Sequence, residues 1–389
     1  MHLFLSAGEP SGDLHGASVI REFRRHLPAA NIVGFGGERM AAEGARLLYP
    51  LTDLAVMWFG RALANLPTFF KLGRQAEVYF RSNRPDAVLL IDYPGFNFAL
   101  AKRAHRQGIP VFYFVPPQLW AWAGWRVQKM QRWVDTVLTA LPFEEEWYRQ
   151  RGVRTHYIGH PYFDDLAEQE LDQTFLAEQR QRDGTIITLL PGSRNQEVLA
   201  NAPLMLATAK RIYAAEPDCR FVVAAFNAPQ AHMIKQLLVG SRLPIEVHVG
   251  RTPELIEVAH SCLAVSGSVS LELLYRQKPA AILYKITTAG LFVARQLKTC
   301  RYISLVNLLA ETEVYPEFLT SGEPTEAIAG RVVSWIRHPA ERQAVVDQLR
   351  AIRDRVAVPG ACERAAQYIL KRLHDRNTPS TRQDWAQAS

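Results

Sequence analysis

Cysteine is scarce in this chain: four in 389 residues, at Cys219, Cys262, Cys300 and Cys362, with no C-x-x-C pair among them. So few thiols, so far apart, speak against a disulfide framework or a thiolate metal site and fit a reducing cytosol. Long apolar runs are also missing. None approaches the roughly 20 residues that a membrane-spanning helix needs, and no basic region precedes a long apolar segment at the N-terminus. A soluble or peripheral protein is expected. The first glycine-rich turn does not read G-x-G-x-x-G, which argues against a dinucleotide cofactor. No acidic metal-binding cluster, internal repeat or low-complexity tract stands out, and no recognised nucleic-acid motif accompanies the basic residues. Neither a metal nor a cofactor is expected, nor is nucleic acid as a partner.

What is present is globular. Hydrophobic residues make up 48% of the chain and charged residues 21%, and 389 residues exceed one ordinary hydrophobic core. Lys and Arg total 45 against 38 Asp and Glu, a formal +7. That modest excess separates anionic lipid, nucleotide and nucleic-acid partners poorly. Short β-like runs at Ile32–Gly36, Ala87–Ile91, Val111–Val115, Thr136–Leu138 and His156–Ile158 alternate with helical patterns. A second series follows at Ile186–Leu190, Phe221–Ala225, Ile245–Val249, Cys262–Val265 and Ala280–Leu283. Such alternation predicts an α/β protein: two Rossmann-like parallel-sheet domains, at 1–165 and 184–339, facing a cleft. Helical patterns at Ala340–Arg355 and Ala361–Leu373, interrupted at Pro359–Gly360, predict a helical C-terminal tail over 340–376. That tail could pack back on the first domain or on a partner subunit of a homodimer, and 377–389 reads as disordered.

Chemistry gathers in the loops that follow strands. The apolar run His2–Leu5 breaks into Ser6-Ala7-Gly8-Glu9-Pro10-Ser11-Gly12-Asp13 and then an amphipathic segment, a strand entering a helix through a glycine-rich turn. Backbone N–H groups at such a helix start can meet a ligand, and Ser11 or Asp13 can cap the same end. The carboxylates of Glu9 and Asp13 would repel a bare pyrophosphate and suit sugar hydroxyls better. Leu190-Pro191-Gly192-Ser193-Arg194 opens the second domain in the same way. There Arg194 and the helix dipole suit a phosphate, although a solvated surface arginine is the plain alternative. Ser266-Gly267-Ser268, with Glu272 one turn into the next helix, lets a diphosphate approach the backbone and gives a ribose a carboxylate. Glu272 could equally be an ordinary exposed helix acid. The two loops together favour a nucleotide-diphosphate site.

Asp92 ends the apolar run Ala87–Ile91 and is placed as a general base toward a sugar hydroxyl; a turn aspartate is the alternative, and His15 is the competing base. Four of the eight tryptophans, Trp120, Trp122, Trp125 and Trp133, fall within fourteen residues. From Ala101 to Trp133 there are six basic residues, Arg126 and Lys129 among them, and no acid. Tryptophan beside cations suits an anionic membrane interface, whereas Val127, Met130 and Val134 keep the spacing of a core stripe. A second cationic, apolar stretch runs from Tyr284 to Tyr302. Asn307 after it could read a base or sugar through its amide, or cap a helix.

In order along the chain, S-A-G-E-P-S-G-D-L-H-G-A (6–17), F-G-G-E-R-M (35–40), L-A-V-M (54–57), I-D-Y-P-G-F-N (91–97), W-A-W (120–122), L-P-F-E (141–144), I-G-H-P (158–161), L-L-P-G-S-R (189–194), S-G-S-V-S-L-E (266–272) and S-L-V-N-L-L-A (304–310) resemble the lipid-A-disaccharide synthases. These are glycosyltransferases of the GT-B type. The resemblance implies transfer of 2,3-diacylglucosamine from its UDP derivative to the 6-hydroxyl of 2,3-diacylglucosamine 1-phosphate, with inversion and without a metal, at the inner face of the cytoplasmic membrane. It further implies that Asp92 is the essential acid acting as base, that Arg194 binds phosphate, and that Glu272 and Asn307 occupy donor-site positions. Some positions depart from the family pattern. Arg61 stands where the family carries a carboxylate, Gly95 where it has a second acid, Val306 where it has a proline and Glu311 where it has a glycine, and the tryptophan loop has extra residues around Ala123-Gly124. Most of these bear on the acceptor side, so a related UDP-sugar transferase with another acceptor is one alternative. A UDP-N-acetylglucosamine 2-epimerase-like enzyme and a noncatalytic nucleotide-sugar or lipid binder are the others.

Overall fold

The computed structural model describes residues 1–57, 66–288 and 300–377. Arg61, the central part of the Tyr284–Tyr302 stretch and the polar terminus from 378 lie outside the described residues. The chain divides into two compact units, Met1–Asp164 with the segment from Val358, and Asp165–Ala357. The helical tail is therefore shared: the helix Pro339–Val356 belongs to the second unit and the helix Ala361–Asn377 to the first.

The first unit holds a parallel sheet of β1 (His2–Ala7), β2 (Asn31–Gly36), β3 (Arg46–Pro50), β4 (Ala87–Ile91), β5 (Val111–Phe114), β6 (Thr136–Thr139) and β7 (Thr155–Tyr157). Its spatial order is β3-β2-β1-β4-β5-β6-β7. All five side chains of β4 are buried, as a central parallel strand covered on both faces requires. Helices cover both faces. One is completed by the helix Ala361–Asn377, whose Ala361, Cys362, Ala365, Ala366, Ile369 and Leu373 sit in the same core as Leu3, Leu5 and Ile91. Asp164 fixes the start of that helix by accepting hydrogen bonds from the N–H groups of Gly360 at 2.7 Å, Ala361 at 3.0 Å and Cys362 at 2.9 Å.

The second unit repeats the plan with β8 (Thr185–Leu190), β9 (Cys219–Ala225), β10 (Ile245–Val249), β11 (Ser261–Ala264), β12 (Ala280–Lys285) and β13 (Glu317–Thr320), all parallel in the order β10-β9-β8-β11-β12-β13. Each order reverses direction once, between β1 and β4 in the first sheet and between β8 and β11 in the second. Loops leaving the carboxyl ends of strands diverge at such a reversal and leave a crevice for ligand. The sequence did not mark β3 or β13, both partly exposed edge strands whose apolar runs, Leu47–Tyr49 and Phe318–Leu319, are short.

Candidate functional site

In each unit two of the loops singled out from sequence lie at the reversal of strand order, those after β1 and β4 in the first and after β8 and β11 in the second. In the first, Ala7 pairs with Ile91, so β1 and β4 end level and the loops carrying Glu9 and Asp92 emerge side by side. They are packed closely: a Cβ on Gly8 would lie 2.2 Å from the Tyr93 ring, so only glycine fits there. Asp92 and Tyr93 both take left-handed backbone conformations, with φ of 44° and 46°. Two adjacent non-glycine residues in that region are strained. The Asp92 carboxyl is partly buried and is pushed up to about 6, by burial first and then by the negative charge of Glu9, against a hydrogen bond from the Tyr93 N–H. No side chain among the described residues pairs with it.

His15, the competing base, is buried with its ring 6.1 Å from that of His160. Burial, then His160 and Arg39, lowers it to about 3, and burial lowers His160 to about 4. A base so weak gives little driving force for taking a hydroxyl proton at neutral pH, whereas Asp92 is poised three units closer.

Several expected site residues serve the fold instead. Asp13 caps nothing in its own helix, Pro10–His26, whose N-cap Glu9 makes no side-chain bond. Its Oδ1 accepts from the N–H groups of Gly37 (2.7 Å) and Met40 (3.2 Å) and its Oδ2 from Arg39 (3.1 Å), closing the start of the short helix Glu38–Ala42. A sugar-binding role for Asp13 is thereby corrected. Ser11 is exposed in the first turn and Gly12 is buried against Ala7 and Ile91. Asn307 is fully buried and uses its whole amide: Nδ2 donates to the carbonyl of Tyr315 and to Glu317, while Oδ1 accepts from the N–H groups of Val314 and Tyr315. No capacity remains for a base or sugar. Glu272 is not an exposed acid. It is buried in an ion pair with Arg276 at 3.1 Å.

The anion loop of the second unit keeps its expected character. Gly192 has φ of 126°, and a Cβ there would meet Glu197 at 2.6 Å. Arg194, half exposed, precedes the helix Asn195–Ala215. Glu197 from the first turn accepts from the N–H groups of Ser193 (3.2 Å) and Arg194 (3.3 Å), so a carboxylate already lies at this helix start. Buried Gln230 braces the loop from below through the Ser193 carbonyl and the Asn195 side chain. After β11, Ser266 donates to the Ile303 carbonyl, whereas Gly267 and Ser268 stay exposed with open space above Gly267. Glu197 and Gln230 went unread in the sequence. Glu197 had a signal, an acid three residues after the helix start; Gln230 had none.

The tryptophan segment divides in two. Trp120 is 8% exposed and its indole N–H donates to Glu144 at 2.9 Å, so it belongs to the core and its expected membrane-facing role is corrected. Trp122 and Trp125 are 57% and 66% exposed. The Arg126 guanidinium lies over both rings, at 5.7 and 5.1 Å, and the Lys129 ammonium 6.0 Å from that of Trp125. A separate cavity of about 580 Å³ at the opposite, amino-terminal edge of the first sheet, lined among others by Arg84, Asp135 and Arg372, holds none of these residues.

Two parallel-sheet domains of this kind, each with its motif loops at the reversal of strand order, define a glycosyltransferase fold of the GT-B class. Solved structures share it: a UDP-GlcNAc 2-epimerase from Neisseria meningitidis (TM-score 0.64, 15% identity, covering 95% of this chain and 99% of that one) and the calicheamicin glycosyltransferase CalG4 (TM-score 0.62, 15% identity, 97% and 99%). Likeness at that identity shows the fold alone. The sequence is more specific, since a family model described as lipid-A-disaccharide synthetase matches residues 3–370. The lipid-A-disaccharide synthases of Syntrophus aciditrophicus and Anaeromyxobacter sp. (strain K) are 33% and 34% identical over 370 and 369 residues, covering 95% of this chain and 97% and 96% of theirs. This chain belongs to the lipid-A-disaccharide synthase family, the glycosyltransferases of lipid A biosynthesis.

Proposed function

We propose that the chain transfers 2,3-diacylglucosamine from its UDP derivative to the 6-hydroxyl of 2,3-diacylglucosamine 1-phosphate, giving the β-1,6-linked disaccharide 1-phosphate and UDP. Asp92 is the general base. Its carboxylate takes the proton of the attacking hydroxyl as that oxygen bonds to the anomeric carbon and the bond from that carbon to the UDP oxygen breaks, with inversion. The observation that carries this reading is a carboxyl raised to about 6, on a strained turn at the reversal of strand order, without a side-chain partner among the described residues. The leaving diphosphate gains its negative charge as the bond breaks. Once it displaces the Glu197 carboxylate, the Arg194 guanidinium and the N–H groups of Ser193 and Arg194 stabilise it and supply the needed positive charge without a metal. Glu9, Ser11 and Gly12 border the acceptor sugar; Gly192, Ser193, Ser266, Gly267 and Ser268 border the nucleotide, with Glu272 below them. Trp122, Trp125, Arg126 and Lys129 hold the protein peripherally at the inner face of the cytoplasmic membrane.

The test is UDP release by purified protein in detergent, with UDP-2,3-diacylglucosamine and with or without the acylated sugar 1-phosphate. Acceptor-dependent release with a disaccharide product is expected. Asp92→Asn should lower turnover by about a thousandfold or more with UDP affinity nearly intact, and Arg194→Ala should weaken UDP binding in calorimetry by about tenfold or more. Donor binding without acceptor-dependent turnover would assign the protein to another acceptor.

A further inference from the structure

Behind the Asp92 turn lies a buried group of side chains that the reaction itself does not use. Asn97, in the first turns of the helix Pro94–Arg106, is fully buried, and its Nδ2 donates to the carbonyls of Asp92 (2.8 Å), Ile91 (3.1 Å) and Ser6 (3.3 Å). Its Oδ1 accepts from the Ser6 hydroxyl at 2.7 Å, which fixes the orientation of the amide. From the neighbouring strand β5, the hydroxyl of buried Tyr113 donates to the same Asp92 carbonyl at 2.6 Å. Two side chains from different elements thus converge on one carbonyl oxygen, in a residue whose φ is 44° and whose successor's is 46°. A left-handed backbone is unfavourable for a non-glycine residue, because its Cβ crowds the following carbonyl oxygen. A pair of them persists only where the surroundings over-determine the turn.

We propose that Asn97 and Tyr113 are positioning residues for the transfer: by holding the Asp92 carbonyl they keep the turn left-handed and leave the Asp92 carboxylate with the Tyr93 N–H as its one donor from the protein among the described residues. The inference rests on the reading of Asp92 as the general base. If either donor is lost, the Asp92 peptide rotates toward an ordinary conformation and the carboxylate leaves its partly buried place beside Glu9. The carboxylate then becomes better solvated and sits wrongly for the acceptor hydroxyl. Binding of either substrate is untouched, because neither Asn97 nor Tyr113 reaches the surface.

Tyr113→Phe tests this with one oxygen removed and the ring left in the core. Its kcat should fall about 10- to 100-fold, with donor and acceptor KM within twofold of wild type and with the acidic limb of the kcat profile moved below its wild-type position. Asn97→Asp, which sets a carboxylate against three carbonyls, should lose more. If that variant fails to fold, Tyr113→Phe decides alone. A kcat within twofold of wild type, or a fall in kcat with the acidic limb unmoved, overturns the proposal, since a merely structural contact would leave the limb in place. Asp92→Asn is measured alongside. Retained turnover in that variant would overturn the base reading itself, a failure distinct from that of the positioning role.

Discussion

At the scale of single residues, the same chemical type behaves in opposite ways according to what its neighbours offer. Asp13 and Asp92 both follow a strand of the first sheet, yet three backbone N–H groups claim Asp13 while Asp92 receives one. Nothing in the local string Ser11-Gly12-Asp13 announced the N–H groups of residues 37–40, which lie more than twenty positions on. Asn307 misled the sequence reading for a like reason, because its partners are the backbone of 314–315 and the side chain of Glu317. The unclaimed carboxylate has a consequence for stability. A carboxyl raised to about 6 in the folded state, against 3.8 as its ordinary value, binds its proton more tightly when folded. The fold therefore loses stability as pH rises from about 4 through 6, where the unfolded chain has already released that proton. Asp92→Asn should be more stable than wild type at pH 7.5, on the order of 2 kcal/mol, and the difference should shrink toward zero near pH 4. Urea unfolding at the two pH values measures it, and an equal or lower stability of the variant at pH 7.5 would mean that the carboxylate is not destabilised in place.

At the scale of elements, the central strands were legible and so were the edge strands β7 and β10, whereas β3 and β13 were not. The run Ala87–Ile91 is apolar at every position because both faces of β4 are covered, and Ile186–Leu190 and Phe221–Ala225 read equally well. Edge strand β3 is half-buried only at Leu47–Tyr49 and exposed at both ends, β13 is half-buried throughout, and neither sequence alternates apolar with polar residues. Loops after central strands were legible as sites because glycine, serine and proline cluster where a strand turns into a helix. The tail was legible as two helices, but its division between units was not, because that depends on Asp164, nearly two hundred residues earlier. Its carboxylate satisfies three N–H groups at the start of the helix Ala361–Asn377, where the helix dipole also favours negative charge. Asp164→Ala should cost about 1–3 kcal/mol and speed amide exchange across 361–377 while leaving exchange in the second unit unchanged. Unaltered exchange in that helix would show that the apolar face formed by Ala365, Ile369 and Leu373 holds it without the cap.

At the scale of the whole molecule, the question is how a protein with a formal charge of only +7 would find an acylated sugar phosphate in a membrane. No helix among the described residues is long and apolar enough to cross a bilayer. Net charge alone gives weak attraction, but its distribution matters more: Trp122 and Trp125 are exposed side by side with Arg126 and Lys129 around them. Indole rings favour the headgroup level and each nearby cation adds about 1 kcal/mol at an anionic surface. The cations already rest on the rings, so the patch would enter such an interface as a unit, with little side-chain ordering left to do. Trp120 cannot take part without leaving Glu144, which burial raises to about 7 against hydrogen bonds from Trp120, Leu141 and Ala140. The protein should therefore sediment with vesicles containing anionic phospholipid at low salt and be released as salt rises. Replacing Trp122 and Trp125 by Ala and Arg126 and Lys129 by Ser should lower vesicle binding at least tenfold, while UDP affinity stays unchanged. If the fourfold variant binds vesicles as wild type does, the docking surface lies elsewhere on the molecule, and these exposed tryptophans need another occupant.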